Sequence, residues 1–449
     1  MASASLGIDT LGFFVTDGGV LGKDLSAIVI PAGVGGTASL VSFNASLGSR
    51  VSWTYVLPMS ANQHVTLGPN AVYISSGAIY LALNKSTGAL LWRANFTLLD
   101  HRGGARMLGY VPRDSMLGYG PAGQRNRKLQ STQTRTVTKS SAATATSTGS
   151  FNSVVNNVYC GSENLLFPPI ITSSGLIIQS TLRCVVGINS TTGKLAWYRI
   201  SGSGPNYNIN VGAFGSVSFT SLLVLSKDED VFCGGLSSGY AYCASAADGS
   251  LIWTSKVTRS SGGLVGPPMI HNNTLFFYAN SNNAAATTGT GGKFFVFAYT
   301  LSGTHLWNIS LTSLSNNNLG ASFSVLPAFV APSVDALVIS TQLPASIAVF
   351  VVNPANATVL RTTLVPGSSG GLSSVIAVDA MNALYFMYAD PTDYKQRLYR
   401  INATTGSVSY GVEVGTETQA MQFPSYLSIV VGSGAVLMTD ASGGVYVYR

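Results

Sequence analysis

The sequence is short of charge. Only 9% of its 449 residues are Asp, Glu, Lys or Arg, far below the roughly one quarter that is usual in soluble domains. Ser, Thr, Gly and Asn must therefore supply most of the polar surface. The sequence also lacks the continuous run of roughly 20 apolar residues that a membrane helix needs. The nearest approach, residues 426–438, contains a Gly-Ser-Gly break and is typical of two strands, so no transmembrane segment is predicted.

Acids are the scarcer charge, with 17 Asp and Glu against 24 Lys and Arg, for a net charge of +7. Residues 101–150 hold eight of those bases and one acid, so the whole excess of positive charge lies in this segment. The N-terminus, MASASLGIDTLGFF, has neither the basic start nor the apolar core of a signal peptide. If the protein is secreted, we expect its signal to be missing from this chain or removed.

Histidine and cysteine are scarce as well. The four histidines, at 64, 101, 271 and 305, have no metal-ligand spacing, so no metal site is predicted. Four cysteines allow three disulfide connectivities. Cys233 and Cys243 flank a short hairpin that would place them opposite each other, about 4.5–5.5 Å apart, which is near disulfide distance. Cys160 and Cys184 are then left to pair, and free buried thiols are the alternative.

What the sequence does contain is an internal repeat. ALNKSTGALLW (82–92), GINSTTGKLAW (187–197), CASAADGSLIW (243–253) and FAYTLSGTHLW (297–307) keep Gly four residues before Trp. Three further copies are more divergent: SFNASLGSRVSW (42–53), VVNPANATVLR (351–361) and RINATTGSVSY (400–410). An apolar strand and a turn precede each copy, so each unit of about 45 residues reads as four short strands, A to D. This pattern predicts an all-β fold, a single β-propeller domain over residues 1–449 with eight four-stranded blades, or seven as the alternative.

The repeated motif has a local explanation. Its Gly suits the positive φ of a tight turn between strands C and D, and the Asn or Asp before it can fold its side chain onto the amides of that turn. The aromatic residue returns along strand D and offers a large flat surface to the adjacent blade. We therefore predict that five residues dock neighbouring blades: Trp53, Trp92, Trp197, Trp253 and Trp307.

This pattern resembles the PQQ-like β-propeller repeat, A-x-D-x-x-T-G-x-x-x-W, which occurs in quinoprotein alcohol dehydrogenases and in non-catalytic eight-bladed assembly scaffolds. Residues 82–92 match it almost completely. For the enzymes, the resemblance implies a calcium site of Asp, Asn and Glu under the quinone, a catalytic Asp and a disulfide between adjacent cysteines. This sequence has no Cys-Cys pair, and the turn Asp is mostly Asn. We therefore predict a non-catalytic member, with no catalytic residue, metal or cofactor.

Asparagine replaces that Asp in a systematic way, because in four repeats a hydroxyl residue follows two positions later and completes an N-glycosylation sequon. The chain has eight sequons: Asn44, Asn84, Asn95, Asn189, Asn272, Asn308, Asn356 and Asn402. Five fall in C–D turns and Asn272 in an A–B turn, and both turn types emerge on one face of a propeller. Asn95 and Asn308 fall on outer strands. Turn capping alone is the alternative, but we predict glycosylation and hence a eukaryotic secretory protein.

The longest insertion, residues 99–160 between the second and third blades, is rich in Arg, Ser and Thr. It reads either as a disordered, O-glycosylated or proteolysed loop or as a basic docking arm. For the second interpretation, the interaction residues are Arg102, Arg106, Tyr110, Arg113, Tyr119, Arg125, Arg127 and Lys128. Nucleic acid is not a predicted partner, because Gly and Ser interrupt the bases and the sequons favour export.

The last blade has three strands, and the stretch SLGIDTLGFFV (5–15) is the predicted donor of the fourth, with a strand from a neighbouring molecule as the alternative. The predicted function is that of a non-catalytic, N-glycosylated extracellular propeller. It would be a structural or protein-interaction subunit of a surface layer, wall or appendage, and its partners would be other extracellular proteins or copies of itself. The alternatives are a lectin-like binder of acidic polysaccharide and a PQQ-type oxidoreductase.

Overall fold

The structure is a computed structural model. It describes residues 2–4, 20–21, 26–29, 39–44, 51–57, 63–76, 79–98, 100–102, 106–108, 152–158, 169–180, 184–202, 209–210, 223–236, 239–257, 268–281, 293–310, 329–331, 335–343, 346–366, 377–379, 382–389, 396–413, 429–432, 435–439 and 445–448. Strands and tight turns make up these residues, and no helix occurs among them. This part of the chain accordingly contains no helix of the length and hydrophobicity that could cross a membrane.

Eight sheets of four or five strands account for most of the described residues. Sheet 1 contains β2 (Val20–Leu21), β3 (Ser26–Val29), β4 (Ser39–Asn44) and β5 (Val51–Val56). Sheet 2 contains β6 (Gln63–Leu67), β7 (Ala71–Ser76), β8 (Ile79–Asn84), β9 (Leu90–Leu98) and β12 (Asn152–Val158). Sheet 3 contains β13 (Ile170–Ile171), β14 (Leu176–Ser180), β15 (Cys184–Asn189), β16 (Leu195–Gly202) and β17 (Ile209–Asn210). Sheet 4 contains β18 (Val224–Leu225), β19 (Val231–Leu236), β20 (Tyr240–Ser245) and β21 (Leu251–Lys256).

The second half of the chain repeats this plan. Sheet 5 contains β22 (Met269–His271), β23 (Thr274–Ser281), β24 (Lys293–Thr300) and β25 (His305–Ser310). Sheet 6 contains β26 (Phe329–Ala331), β27 (Ala336–Leu343), β28 (Ser346–Val352) and β29 (Val359–Pro366). Sheet 7 contains β30 (Ala377–Val378), β31 (Ala383–Ala389), β32 (Gln396–Asn402) and β33 (Val408–Glu413). Sheet 8 contains β34 (Ile429–Gly432), β35 (Ala435–Thr439), β36 (Val445–Tyr448) and β1 (Ala2–Ala4). A separate hairpin joins β10 (Asp100–Arg102) to β11 (Arg106–Leu108).

Sequence-adjacent sheets pack against each other through their apolar faces. Trp92 of sheet 2, for example, shares a buried cluster with Ile177 and Val186 of sheet 3. Phe276 of sheet 5 shares another with Leu337 of sheet 6. At the ends of the chain, β34 contacts both β30 and β2, so the first and last sheets meet. A sheet that buries its faces only against its neighbours around a ring is a propeller blade, and the predicted all-β propeller is confirmed.

A β-bulge recurs on strand D, next to the aromatic residue of the repeat. In sheet 2, Ala82 lies opposite Trp92 but Leu83 lies opposite Leu90, so Leu91 has no partner in the ladder. Sheets 1, 3, 4, 5 and 6 shift register at the corresponding place. A bulge re-aims the side chains beside it. Here Trp92 is buried while Leu91 is exposed.

The bulge aims each Trp at the C–D turn of the next sheet. The indole Nε1–H donates to a backbone carbonyl of that turn in four cases: Trp53 to Lys85 at 2.9 Å, Trp92 to Ser190 at 2.8 Å, Trp253 to Leu301 at 2.7 Å and Trp307 to Pro354 at 2.9 Å. Trp197 instead stacks on Phe232 of sheet 4, with ring centroids 5.9 Å apart. Each Trp therefore ties one sheet to the next through packing, and four also do so through a hydrogen bond.

The strand that completes sheet 8 is not the predicted one. Ala2–Ala4 pairs antiparallel with β36, with Ala2 opposite Val447 and Ala4 opposite Val445, whereas residues 5–15 lie outside the described residues. The N-terminal region is the donor, as expected, but the paired segment lies further upstream. Pairing with an open edge uses main-chain groups, so it does not require the large apolar residues that singled out 5–15.

The insertion at 99–160 also contains strands that the sequence did not reveal. Its last part, β12, adds a fifth strand to sheet 2 and runs parallel to β9, with Asn152 opposite Trp92 and Val158 opposite Leu98. In the same way, β17 adds a parallel strand to sheet 3 beside β16. The outer edges of β9 and β16 are therefore covered by the chain itself.

Candidate interaction surfaces

The A–B and C–D turns of a sheet lie at the same end of the sheet, and backbone hydrogen bonds connect the two turns. The first residue of the C–D turn donates its N–H to a carbonyl of the A–B turn in four sheets: Lys85 to Asn70, Ser190 to Gly175, Ala246 to Asp230 and Ala403 to Asn382, at 2.7–3.0 Å. We call this end of the described sheets the turn face. The C–D sequons and Asn272 belong to it.

Three sequon asparagines cap their own C–D turns in the same way. Oδ1 of Asn84 accepts the N–H groups of Ser86 and Thr87 at 3.0 and 3.1 Å. Two further caps are equivalent: Oδ1 of Asn189 accepts from Thr191 and Thr192 at 3.0 and 2.9 Å, and Oδ1 of Asn402 accepts from Thr404 and Thr405 at 2.9 Å each. This is the local side-chain bonding that favours Asn in turns.

The turn of sheet 6 divides these roles between two residues. Asn353 occupies the capping position, and its Oδ1 accepts the N–H of Ala355 at 2.9 Å. The sequon residue Asn356 lies three positions later, is exposed, and accepts the N–H of Thr358 at 3.0 Å. A sequon and a turn cap therefore need not coincide on this face.

The remaining sequons lie in other surroundings. Asn272 is exposed, and its Nδ2 is 2.9 Å from His271 Nε2 and 3.5 Å from Asp335 Oδ1. On outer strands, Asn308 is exposed, whereas Asn95 is half-buried on β9, beside β12. Asn44 ends β4, and its side chain is outside the described residues.

Polar contacts on the turn face also join neighbouring sheets. The carboxylate of Glu229, in the A–B turn of sheet 4, accepts the N–H of Ser173 in sheet 3 at 2.5 Å. Hydrogen bonds from Ser173 lower the pKa of Glu229. Between sheets 5 and 6, His271 Nε2 lies 2.5 Å from Asp335 Oδ1. Glu229 and Asp335 both have positive φ, 59° and 45°, an uncommon conformation for a residue with a side chain.

The outer wall of the ring exposes apolar side chains that the sequence analysis did not single out. All six exposed large aliphatic residues among those described lie on D strands: Val56, Leu91, Ile252, Leu306, Leu360 and Leu364. Four of them, Leu91, Ile252, Leu306 and Leu360, are the unpaired residues of the bulges. Their signal in the sequence is an apolar residue directly before the Trp position of the repeat.

β29 is the D strand with two exposed leucines. Like β5, β21, β25 and β33, it has no strand paired with its outer side within the described residues. Leu360 is 56% exposed and Leu364 58% exposed, with exposed Thr362 between them on the same face of the strand. Arg361, which provides the only charge on β29, donates to the carbonyl of Thr405 in sheet 7. By contrast, β21 ends in exposed Lys256.

The cysteines are found in two places. Cys233 on β19 lies opposite Cys243 on β20, and a disulfide joins them, with Cα atoms 4.1 Å apart, in the hairpin where the sequence placed it. Both are buried between sheets 4 and 5. Cys184 is also disulfide-bonded, whereas Cys160, its predicted partner, lies outside the described residues.

Little of the predicted docking arm can be located. Arg102 and Arg106 lie opposite each other at the end of the β10–β11 hairpin. The other six predicted interaction residues, Tyr110, Arg113, Tyr119, Arg125, Arg127 and Lys128, lie outside the described residues. The docking arm therefore stays a prediction.

The described residues contain no group of three or more His, Cys, Asp or Glu side chains that could hold a metal ion. The sequence also has no adjacent pair of cysteines. The described residues thus show no set that matches the calcium site implied by the resemblance to quinoprotein dehydrogenases, and we derive no chemical step through a quinone or a metal.

Comparison with known structures places the fold among PQQ-like propellers. BamB from Moraxella catarrhalis is 14% identical with a TM-score of 0.53, and the match covers 98% of both chains. A europium-containing methanol dehydrogenase is 10% identical with a TM-score of 0.57, over 98% of this chain and 84% of that one. A quinohemoprotein alcohol dehydrogenase from Comamonas testosteroni is 11% identical with a TM-score of 0.55, over 99% and 72%. BamB and the two dehydrogenases thus share the fold, and identities this low establish the fold alone.

Sequence comparison agrees on the family. No curated protein sequence matches the chain. A family model described as outer membrane protein assembly factor BamB, one of the PQQ-like repeat models, matches residues 75–293 and again 185–383. Because the two matches together span residues 75–383, more than half of the 449 residues, the chain belongs to this family of PQQ-like β-propeller repeat proteins.

Proposed function

We propose that this chain is a non-catalytic, N-glycosylated extracellular propeller whose copies associate through the outer edge of β29 to form a structural assembly. The observation that carries the proposal is that edge, with Leu360 and Leu364 more than half exposed. Natural proteins protect long edge strands with charges, prolines, bulges or covering segments. On β29 the bulge turns Leu360 outward and the proline, Pro366, is the last residue of the strand, so Leu360 and Leu364 both lie before it. The one charge, Arg361, donates to the carbonyl of Thr405 in sheet 7.

The geometry of such an association follows from symmetry. Two copies related by a two-fold axis would place β29 of one copy antiparallel to β29 of the other, which is an isologous contact. Main-chain groups would then form hydrogen bonds across the interface, and Leu360 and Leu364 of both copies would be buried from solvent. The chain uses edge pairing within itself: β12 and β17 pair parallel with the outer edges of β9 and β16, and β1 pairs antiparallel with β36.

Two features support the extracellular placement. Disulfides persist in oxidising compartments and are rare in the cytosol, and the described residues include the buried disulfide between Cys233 and Cys243. The recurrence of sequons at the turn position points the same way. The assembly role is in keeping with the name of the matched family, an assembly factor.

The test is association of the purified protein, measured by size-exclusion chromatography with light scattering over a range of concentrations. We expect the wild type to form dimers or larger species and the Leu360→Ser/Leu364→Ser double variant to remain monomeric. Leu91→Ser is the matched control, because it removes an exposed bulge leucine from β9, whose outer edge β12 already covers. Wild-type protein that stays monomeric at high concentration, or a double variant that associates unchanged, would rule out this interface.

A further inference from the structure

Three asparagines on the turn face use one atom of their amide, Oδ1, to cap a turn; Asn189 is exposed, and Asn84 and Asn402 are half-buried. Oδ1 of Asn84, Asn189 and Asn402 is occupied by two backbone N–H groups of its own turn. Within the described residues, the hydrogen bonds of these three side chains are made through Oδ1, including those from the hydroxyls of Ser86 and Thr192. Because oxygen and nitrogen are bonded to the same planar carbon and point in different directions, the capping contact turns Nδ2 away from the turn.

We infer that these three residues each serve twice, as turn caps through Oδ1 and as N-glycan acceptors through Nδ2. The donor would be an oligosaccharide linked to an isoprenoid diphosphate. A bond forms between Nδ2 and the anomeric carbon, the bond from that carbon to the diphosphate oxygen breaks, the diphosphate leaves with the electron pair, and Nδ2 loses one proton. Oδ1 keeps its lone pairs, so the cap survives the modification. The inference rests on the secretory placement in the proposed function.

The sequon hydroxyl completes the motif in each turn. Ser86 follows Asn84 by two positions, and its Oγ lies 2.7 Å from Asn84 Oδ1. The other two acceptors have Thr191 and Thr404 at that position. Since Asp caps such turns equally well, capping alone does not explain why Asn stands at the position where the PQQ-like repeat has Asp. A glycan requires both the Asn and the hydroxyl residue two positions later.

Asn272, on the same face, is a sequon whose Nδ2 is already engaged in side-chain contacts. Its Nδ2, the atom that would carry the sugar, contacts His271 Nε2 and is within 3.5 Å of Asp335 Oδ1. A glycan there would compete with the contact that joins sheets 5 and 6. At Asn84, Asn189 and Asn402, the hydrogen bonds seen within the described part of the chain use Oδ1 and stay inside one turn, so a sugar on Nδ2 would break none of them.

The three acceptors therefore place their sugars on one end of the ring. Their turns are joined by backbone hydrogen bonds to the A–B turns of sheets 2, 3 and 7. The outer edge of β29 is a strand edge on the wall of sheet 6, where the C–D cap is Asn353, which is not a sequon residue. Glycans on these three residues lie on the turn face and not on β29. A glycan on Asn356, in the turn that precedes β29, would lie nearest to the proposed contact between copies.

The experiment separates the two roles with matched variants. The chain is secreted from a eukaryotic host behind a heterologous signal peptide, and occupied asparagines are mapped by mass spectrometry after amidase treatment in heavy-oxygen water. The Asn84→Asp/Asn189→Asp/Asn402→Asp variant keeps each Oδ1 and removes each Nδ2. The corresponding triple Leu variant removes both atoms with little change in size.

We expect sugar on all three residues of the wild type and on none of them in either variant. Deglycosylation itself converts occupied Asn to Asp. The deglycosylated wild type should therefore have the same melting temperature as the Asp variant, and the Leu variant should have a melting temperature several degrees lower. Empty acceptors at these three positions on a secreted chain whose Asn308 carries sugar would overturn the inference, as would equal melting of the Leu and Asp variants. Failure of the β29 association leaves this mapping unaffected. A secreted chain without sugar at any sequon would overturn this inference but not the association.

Discussion

At the scale of single residues, one backbone angle recurs in the C–D turns. Gly88 has φ of 69°, and a Cβ atom at this position would lie 2.7 Å from the Trp53 ring of the preceding sheet. Glycine is therefore required twice, once by conformation and once by space. In sheet 6 the equivalent residue is Ala357, with φ of 62°, packed in the cluster that contains Trp307. That turn holds a residue in a region where L side chains are strained.

Replacing Ala357 with glycine tests whether its positive φ is strained. We expect Ala357→Gly to raise the free energy of unfolding by about 1 kcal/mol, because a positive φ disfavours Ala by more than Gly costs in chain entropy. Urea unfolding followed by tryptophan fluorescence gives the comparison. Gly88→Ala is the counterpart and should lower stability by about 1–3 kcal/mol. Two changes of the same sign would show that Ala357 is unstrained.

The positions of the turn glycines and of the tryptophans on strand D could be predicted from sequence, because the repeat encodes them locally. The Gly and Trp of the motif could be placed because neighbouring positions determine the turn and the side of the strand. Leu91 and Leu360 were missed because their exposure depends on a bulge, that is, on the register between two strands. Register is a pairing property, and a change of one residue moves a side chain to the other face.

At the scale of elements, the strands added at the outer edges of the sheets could not be predicted from sequence either. β12 and β17 pair parallel with β9 and β16, and β1 pairs antiparallel with β36. Such additions use backbone groups, so the added segments need no hydrophobic pattern. NSVVNNV, the sequence of β12, lacks the strict alternation that marks a half-buried strand. The sheets themselves could be predicted from sequence, whereas their added strands could not.

The A–B turns are elements whose contacts depend on pH. Hydrogen bonds from Ser173 lower the pKa of Glu229 in the folded protein. A carboxyl with a depressed folded pKa contributes stability above its unfolded pKa and loses it as the pH falls through the folded pKa. We therefore expect the wild type to exceed Glu229→Gln in stability near neutral pH, with the difference shrinking to zero in the acidic range below the ordinary pKa of glutamate.

Urea midpoints of both proteins between pH 7 and pH 3 measure that difference. The effect is small, because Glu229 lies in a surface turn where solvent screens its charge. Asp228→Asn is the control for removal of a neighbouring carboxylate, since Asp228 makes no hydrogen bond within the described residues. A wild-type advantage over Glu229→Gln that stays constant from pH 7 to pH 3 would show that it comes from packing instead of charge.

At the scale of the whole molecule, every described sheet is held by its neighbours, so the closure of the ring decides how firmly the ends of the chain are held. The contact between β2 and β34 joins the first sheet to the last. The outer strand of sheet 8 comes from the N-terminal region, through Ala2–Ala4. Closing a ring with strands from both ends of the chain ties the termini together and covers an edge.

Deletion of residues 2–4 tests how much this closure contributes. We expect it to lower the free energy of unfolding by about 2–3 kcal/mol, from the loss of a few backbone hydrogen bonds at roughly 1 kcal/mol each. The deletion also opens the edge of β36, so the protein should gain an association that Leu360→Ser/Leu364→Ser does not abolish. Ser3→Ala is the control: it keeps the main chain and should change neither property. Urea unfolding and light scattering on the same samples measure both, and a deletion variant as stable and as monodisperse as the control would show that the strand Ala2–Ala4 does not hold the ring closed.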